Sequence, residues 1–127
     1  MNSEQPPDST ANQPAEAILS VRVEPADEAV VLSVSGEIDL VTAPQLGESI
    51  NAAMRQEPVI LVIDLSEVDF LGSAGMAVLV GCNQQAQGRT RVRVVAAGDV
   101  TFRPMELTGV SDQISIFPTR DEALAAG

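Results

Sequence analysis

The sequence has 127 residues, a length that supports one domain with a hydrophobic core. Eighteen acidic residues against seven basic residues give a net charge of −11, which disfavours binding to the phosphates of nucleic acid. The sequence contains no histidine, tryptophan or tyrosine. Without histidine, Ser-His and Cys-His nucleophiles and most transition-metal sites are excluded. We therefore expect a binding protein rather than an enzyme, with no cofactor and no bound metal.

The sequence also indicates where in the cell the protein is expected to be. A single cysteine, Cys82, allows no internal disulfide, and its apolar surroundings predict a buried small side chain. The first basic residue is Arg22, so the N-terminus lacks the charged region of a secretory signal. No apolar run approaches the roughly 18 residues that span a bilayer. We expect a cytoplasmic protein with no membrane partner, and the charge favours a monomer.

Residues 1–15 are mostly polar, with Pro, Gln, Asn and Ser, and predict a disordered N-terminal tail, leaving residues 16–127 as the domain. Two alternating apolar patterns follow and predict two strands. Their apolar positions are Leu19, Val21 and Val23, then Val30, Leu32 and Val34. Because the turn residues 25–28 are the only link, we expect an antiparallel hairpin.

A helix is predicted after the hairpin. Thr42-Ala43-Pro44-Gln45 has the spacing of a capping box, with proline in the first turn, where its missing N–H is harmless. Leu46, Ile50 and Met54 repeat at helical spacing and predict the buried face.

The central stretch, Val59 to Cys82, organises the chain. An unbroken apolar run ends at Asp64 and predicts a strand buried on both faces. Asp64 is predicted as a turn residue. The alternative is the phosphorylated aspartate of a receiver domain. That alternative needs an acidic pair for Mg²⁺ near the end of the first strand, which Glu24 and Asp27 do not supply.

The segment after Ser73 is rich in Ala, Met and Leu and predicts a helix that begins at this serine. Two roles are open for Ser73. Its hydroxyl is a preferred helix N-cap. A phosphate at the same place would be stabilised by the unpaired N–H groups and the positive end of the helix dipole.

The last third alternates strand and helix. Arg91–Val95 predicts a strand with its arginines on a solvated face, and Asp99 is a candidate cap for a short helix. Gly109 suits a left-handed position after that helix. A strand at 114–117 and a second capping box at Thr119–Glu122 complete the chain. The fold class is therefore α/β, a mixed β-sheet packed with about four α-helices in the order β-β-α-β-α-β-α-β-α.

Four motifs in this order resemble the STAS domain family, and more closely the bacterial anti-sigma factor antagonists. They are Gly36-Glu37-Ile38-Asp39, Val62-Ile63-Asp64-Leu65, Asp69 to Met76, and Glu106 to Val110. The resemblance covers residues 17–126 and implies a single STAS-like domain.

The resemblance also implies a function. Family members bind an anti-sigma factor that is a serine kinase of the GHKL type, which frees a sigma factor for transcription. The kinase phosphorylates a serine in the pattern Asp-Ser-Ser/Thr-Gly, and the matching phosphoacceptor here is Ser73. In this chain Gly72 replaces the aspartate and Ala74 follows the serine.

The partner-binding residues are predicted to lie on the loop after the second strand and at the start of the central helix. They are Glu37, Ile38, Asp39, Gly72, Ser73, Ala74, Gly75, Met76 and Asn83. Asp39 and Glu37 are interpreted as contact residues, with a structural cap as the alternative.

Two functional hypotheses follow. In the first, the protein is an anti-sigma factor antagonist that phosphorylation at Ser73 switches off. The alternative is a STAS ligand-sensing or scaffold module in a stress-signalling complex without kinase control. An antagonist without kinase control would still bind an anti-sigma factor, whereas a pure ligand sensor would not.

Overall fold

A computed structural model of the protein describes residues 19–126, which form one mixed sheet covered by helices on both faces. The predicted tail, residues 1–15, lies outside this part of the chain. The strands are β1 (Ser20–Ala26), β2 (Ala29–Ile38), β3 (Ile60–Leu71), β4 (Arg91–Val95) and β5 (Ser115–Phe117). The helices are α1 (Ala43–Met54), α2 (Ser73–Ala86), α3 (Phe102–Leu107) and α4 (Arg120–Ala125). A 3₁₀ turn, Val110–Asp112, follows α3. The predicted order of elements is confirmed.

The sheet follows the chain, in the order β1-β2-β3-β4-β5. β1 and β2 form the predicted antiparallel hairpin, with Ser20 opposite Ser35 and Ala26 opposite Ala29. The turn is tighter than expected, because Pro25 belongs to β1 and only Asp27 and Glu28 turn the chain. Pro25 is tolerated because β1 is an edge strand.

β3 is the centre of the fold and pairs in parallel with β2 and β4. Residues 61–65 are all buried, which confirms the prediction of a strand buried on both faces. Ile63 packs into the larger core beneath α1 and α2. Val62 points to the other face and joins Val31, Val95 and Ala123 beneath α4.

The prediction that Asp64 is a turn residue is wrong. β3 continues through the polar residues to Leu71, and its pairing with β2 is irregular at two points along this stretch. Asp64 is therefore a buried residue inside the strand, and its Oδ2 accepts a hydrogen bond of 2.9 Å from Nε of Arg120. Nη1 of Arg120 lies 2.7 Å from Oε1 of Glu24. This bridge ties α4 to the sheet, and it occupies the carboxylate that a receiver domain would phosphorylate.

Arg93 also differs from prediction. It was expected on a solvated face, but it is buried, and its Nη1 donates a 2.8 Å hydrogen bond to the carbonyl of Ala123. Arg91 at the start of β4 is exposed as predicted, but α4 covers Arg93, and its buried guanidinium is hydrogen-bonded to that helix.

The helix caps are predicted correctly in some places only. Glu122 N–H donates to Thr119 Oγ1 at 3.2 Å, and Gly109 takes the left-handed conformation with φ +83, so both of those predictions are confirmed. Thr42 occupies the predicted N-cap position of α1, with proline in the first turn, but its Oγ1 makes no capping bond and donates instead to the carbonyl of Glu37. The cap proposed at Asp99 is wrong. Thr101, not Asp99, precedes the first residue of α3.

Candidate functional site

Ser73 is the first residue of α2, and Gly72 occupies the N-cap position with φ −96 and ψ 178. The helix therefore begins at this serine as predicted, and the capping position that was one of the two roles open for Ser73 belongs to Gly72. The side chain of Ser73 is exposed, and its hydroxyl has no hydrogen-bond partner among residues 19–126. The hydroxyl is thus available for chemistry by another protein.

Backbone hydrogen bonds fix the start of α2 against the end of β2. Gly72 N–H donates to the carbonyl of Ile38 at 2.9 Å, and the N–H groups of Gly75 and Met76 both donate to the carbonyl of Gly72 at 3.1 Å. Within the described part of the chain, the N–H groups of Ser73 and Ala74 have no backbone acceptor. These two groups stand at the positive end of the helix dipole and can bind an anion.

Gly75 allows α2 to approach the sheet closely. A Cβ atom at this position would overlap Cγ2 of Ile38 and would lie 2.9 Å from Cδ1 of Leu71. Only glycine fits there without displacing the ends of β2 and β3. Gly75 therefore sets the distance between Ser73 and the loop after β2.

The loop after β2 is held by Asp39. Its Oδ1 accepts hydrogen bonds from the N–H groups of Val41 and Thr42, at 2.9 and 3.0 Å, and lies 3.2 Å from Thr42 Oγ1. The bond from the Thr42 N–H is the largest contribution, and together these bonds lower the pKa of Asp39. Asp39 thus has the structural role that was the alternative to partner contact, and its contact role stays a prediction.

The structure separates the predicted partner-binding residues into three groups. Glu37 and Ser73 are exposed, and Asp39, Gly72 and Ala74 are partly exposed beside them. Ile38, Gly75 and Met76 are buried, so they lie behind the surface rather than on it.

Asn83 is not beside Ser73. It lies ten residues further along α2, or about 15 Å at 1.5 Å per residue. Its Nδ2 donates a 3.0 Å hydrogen bond to the carbonyl of Gln113, which ties α2 to the segment before β5. Asn83 therefore lies apart from the other eight residues, and the role of all nine in partner binding stays a prediction.

Sequence reasoning missed four exposed apolar side chains near this site: Leu40, Val41, Phe70 and Leu107. The sequence feature that could have indicated Leu40 and Val41 is an apolar pair in a turn, between Asp39 and Thr42. Phe70 lies against Gly72, since a Cβ at Gly72 would be 3.1 Å from Cε2 of the ring.

Cys82 is buried between α1 and α2, as predicted. Burial raises the pKa of its thiol to about 11. Residues 19–126 contain no group of three or more Cys, Asp or Glu side chains arranged to hold a metal ion. Over the same range, none of the helices has the length and apolar character needed to cross a membrane.

The fold and this site define a small α/β domain that presents an exposed serine at a helix N-terminus beside an exposed loop. A family model described as "STAS domain" matches residues 20–123. The chain therefore belongs to the STAS domain family.

Named relatives agree with this assignment. The chain is 41% identical to anti-sigma-F factor antagonist RsfB of Mycobacterium tuberculosis over 106 residues, which cover 84% of this chain and 87% of the relative. It is 35% identical to the anti-sigma-B factor antagonist of Listeria monocytogenes, over 77% of this chain and 88% of the relative. The crystal structure of an anti-sigma factor antagonist from Mycobacterium paratuberculosis is 44% identical, with a TM-score of 0.83, and the match covers 87% of this chain and 94% of that one.

Proposed function

We propose that this protein is a non-enzymatic anti-sigma factor antagonist that binds an anti-sigma factor in the cytoplasm and thereby frees a sigma factor. Its membership of the STAS family and the names of its relatives support this role. The proposed binding surface is the exposed region around Ser73, formed by the loop after β2 and the first turn of α2.

We further propose that the anti-sigma factor is a serine kinase of the GHKL type and that it phosphorylates Ser73. The observation that carries this proposal is the exposed Ser73 hydroxyl, which has no hydrogen-bond partner among residues 19–126. The open N–H groups of Ser73 and Ala74 would accept the product, because phosphate oxygens bind well at a helix N-terminus.

Phosphorylation would switch off binding through charge and hydration. The phosphate adds about −1.5 to −2 charges at pH 7. It would stand among apolar side chains and near Glu37, and contact with a partner would remove its water. The desolvation of a charge that finds no matched partner costs several kcal/mol, and about 1.4 kcal/mol is tenfold in affinity. One modification is thus sufficient to release the complex.

Gly72 affects this switch in two ways. An aspartate at the N-cap position would place a carboxylate near the open N–H groups, where it would compete with the phosphate. Glycine leaves those groups free for the phosphate but offers the kinase no carboxylate beside the serine. We therefore expect phosphorylation to be slower than in a Gly72→Asp variant, and the phosphorylated form to be well stabilised.

The test begins with affinity capture from the cytosol of the native host. Tagged wild type, Ser73→Ala and Ser73→Glu are compared, and captured proteins are identified by mass spectrometry. The identified anti-sigma factor is then purified and titrated with each variant by calorimetry. We expect wild type and Ser73→Ala to bind alike, and Ser73→Glu to bind at least tenfold more weakly.

Other results would change the proposal in defined ways. Equal binding by all three proteins would retain the antagonist role and place its regulation elsewhere. If the folded wild type captures no anti-sigma factor, the antagonist role is refuted. The ligand-sensing or scaffold hypothesis would then replace it.

A further inference from the structure

The side chains of Leu40 and Val41 are unusually exposed, at 82% and 73%. They are aliphatic, adjacent and located at the tip of the loop between β2 and α1. Single exposed apolar residues are common on protein surfaces, but contiguous exposed apolar residues mark interaction sites. The pair therefore needs an explanation beyond chance exposure.

The loop is built to hold this pair outward. Asp39 Oδ1 accepts from the N–H groups of Val41 and Thr42, and Asp39 N–H in turn donates to Thr42 Oγ1 at 2.9 Å. Thr42 is buried and donates its hydroxyl proton to the Glu37 carbonyl at 2.7 Å. A turn with this many internal bonds is ordered before binding, so little entropy is lost when a partner covers it.

Two further exposed apolar side chains lie on segments that contact the start of α2, and we call all four the exposed apolar set: Leu40, Val41, Phe70 and Leu107. Phe70 is 49% exposed, and its backbone is the register partner of Glu37. Leu107 is 69% exposed and precedes Thr108, whose hydroxyl lies 3.6 Å from Sδ of Met76 in the first turn of α2.

The segments that form most of this surface carry acidic side chains and no basic ones. Residues 36–45 and 66–76 contain Glu37, Asp39, Glu67 and Asp69, with no lysine or arginine. A partner surface complementary to this one is therefore apolar at its centre and basic at its edge.

We propose that Leu40 and Val41 are the anchor side chains of the complex and enter an apolar cleft, rimmed by lysine or arginine, on the anti-sigma factor. Asp39 acts as a positioning residue that presents them. This inference rests on the proposed function, and it adds which side chains supply the affinity. It also bears on the switch, because Ser73 follows Gly72, against which the exposed ring of Phe70 lies, so a phosphate there would add charge beside an apolar side chain.

The test measures the binding of the purified anti-sigma factor to wild type, to the double variant Leu40→Ser/Val41→Ser, and to Val59→Ser. Val59 is a matched control, because it is 48% exposed and aliphatic but lies immediately before β3, at the other end of the strand from Ser73. We expect the double variant to lose at least tenfold in affinity, mainly through faster dissociation. We expect Val59→Ser to bind like wild type.

A second comparison separates positioning from charge. Asn retains an oxygen that can accept the same hydrogen bonds, so Asp39→Asn should bind nearly as wild type does, whereas Asp39→Ala should bind several-fold more weakly. Glu37→Gln should slow association and reduce its dependence on salt. If wild type binds and the folded double variant binds equally well, the anchor proposal is refuted while the antagonist role stands. If wild type itself does not bind, the proposed function fails first.

Discussion

Gly75 provides a direct test of how the site is built. Replacing it with alanine adds one methyl group where Ile38 and Leu71 leave no room. Forcing an extra carbon into a packed region costs about 1–3 kcal/mol. Alanine also favours a helix over glycine by about 0.5–1 kcal/mol, which offsets part of the cost. Taking the middle of each range, we expect a net loss in unfolding free energy of about 1 kcal/mol.

Gly81 is the matched control in the same helix. A Cβ at Gly81 would meet no heavy atom within 4 Å. Gly81→Ala should therefore keep only the helix-propensity gain and stabilise the protein by about 0.5–1 kcal/mol. The same substitution in one helix is thus predicted to have opposite signs at the two positions.

Urea unfolding followed by far-ultraviolet circular dichroism measures both variants, since the chain has no tryptophan or tyrosine to report by fluorescence. With a slope of about 1–3 kcal/mol per M, the midpoint of Gly75→Ala should fall by roughly 0.5–1 M, and that of Gly81→Ala should rise. An unchanged or raised midpoint for Gly75→Ala would refute the close packing of α2 on Ile38.

Three further predictions concern other parts of the molecule. Burial opposes ionisation of Asp64, but hydrogen bonds from Ser66 and Arg120 outweigh it and lower the pKa of Asp64. Ionised Asp64 therefore stabilises the fold above the ordinary aspartate pKa of about 3.9. This stabilisation is lost as the pH falls through the pKa that Asp64 has in the folded protein. Arg120→Met should remove about 1.5–3 kcal/mol at pH 7, and urea titrations should show the difference from wild type shrinking below about pH 4. Gly72→Asp should change stability by only a few tenths of a kcal/mol, and radiolabelled ATP should show faster phosphorylation of Ser73. Cys82 should react with iodoacetamide at pH 8 far more slowly in the native protein than in urea, and equal rates would contradict its burial.

The architecture was largely predictable because it depends on local patterns. The unbroken apolar run before Asp64 predicted the central strand, and alternation at Leu32 and Val34 predicted the hairpin. Both predictions use the spacing of apolar residues that are close in the sequence, so they need no knowledge of the tertiary structure.

The errors came from contacts between residues far apart in the chain. Asp64 is held inside β3 by Arg120, 56 residues away, and Arg93 is held by the carbonyl of Ala123, 30 residues away. No local pattern indicates either partner. The polar residues after Asp64 resembled a loop in the sequence. They belong to β3 because its pairing with β2 is irregular there, and that pairing depends on both strands.

The local structure of the candidate site was predictable in part. The residues around Ser73 predicted a helix that begins at this serine, which the structure confirms, whereas the binding role of the segment stays a prediction. The exposed apolar set was missed because the sequence does not show whether a Leu-Val pair in a loop is covered. The structural role of Asp39 was not predicted, because the hydrogen bonds that it accepts from Val41 and Thr42 depend on the geometry of the turn.

The most direct measurement of the central claim uses a purified complex of the anti-sigma factor with its sigma factor. Wild type or Ser73→Glu is added at increasing concentration, and released sigma factor is quantified by size-exclusion chromatography. We expect wild type to release the sigma factor and Ser73→Glu to release much less at the same concentration. Failure of wild type to release any sigma factor, at concentrations well above those of the complex, would contradict the antagonist role.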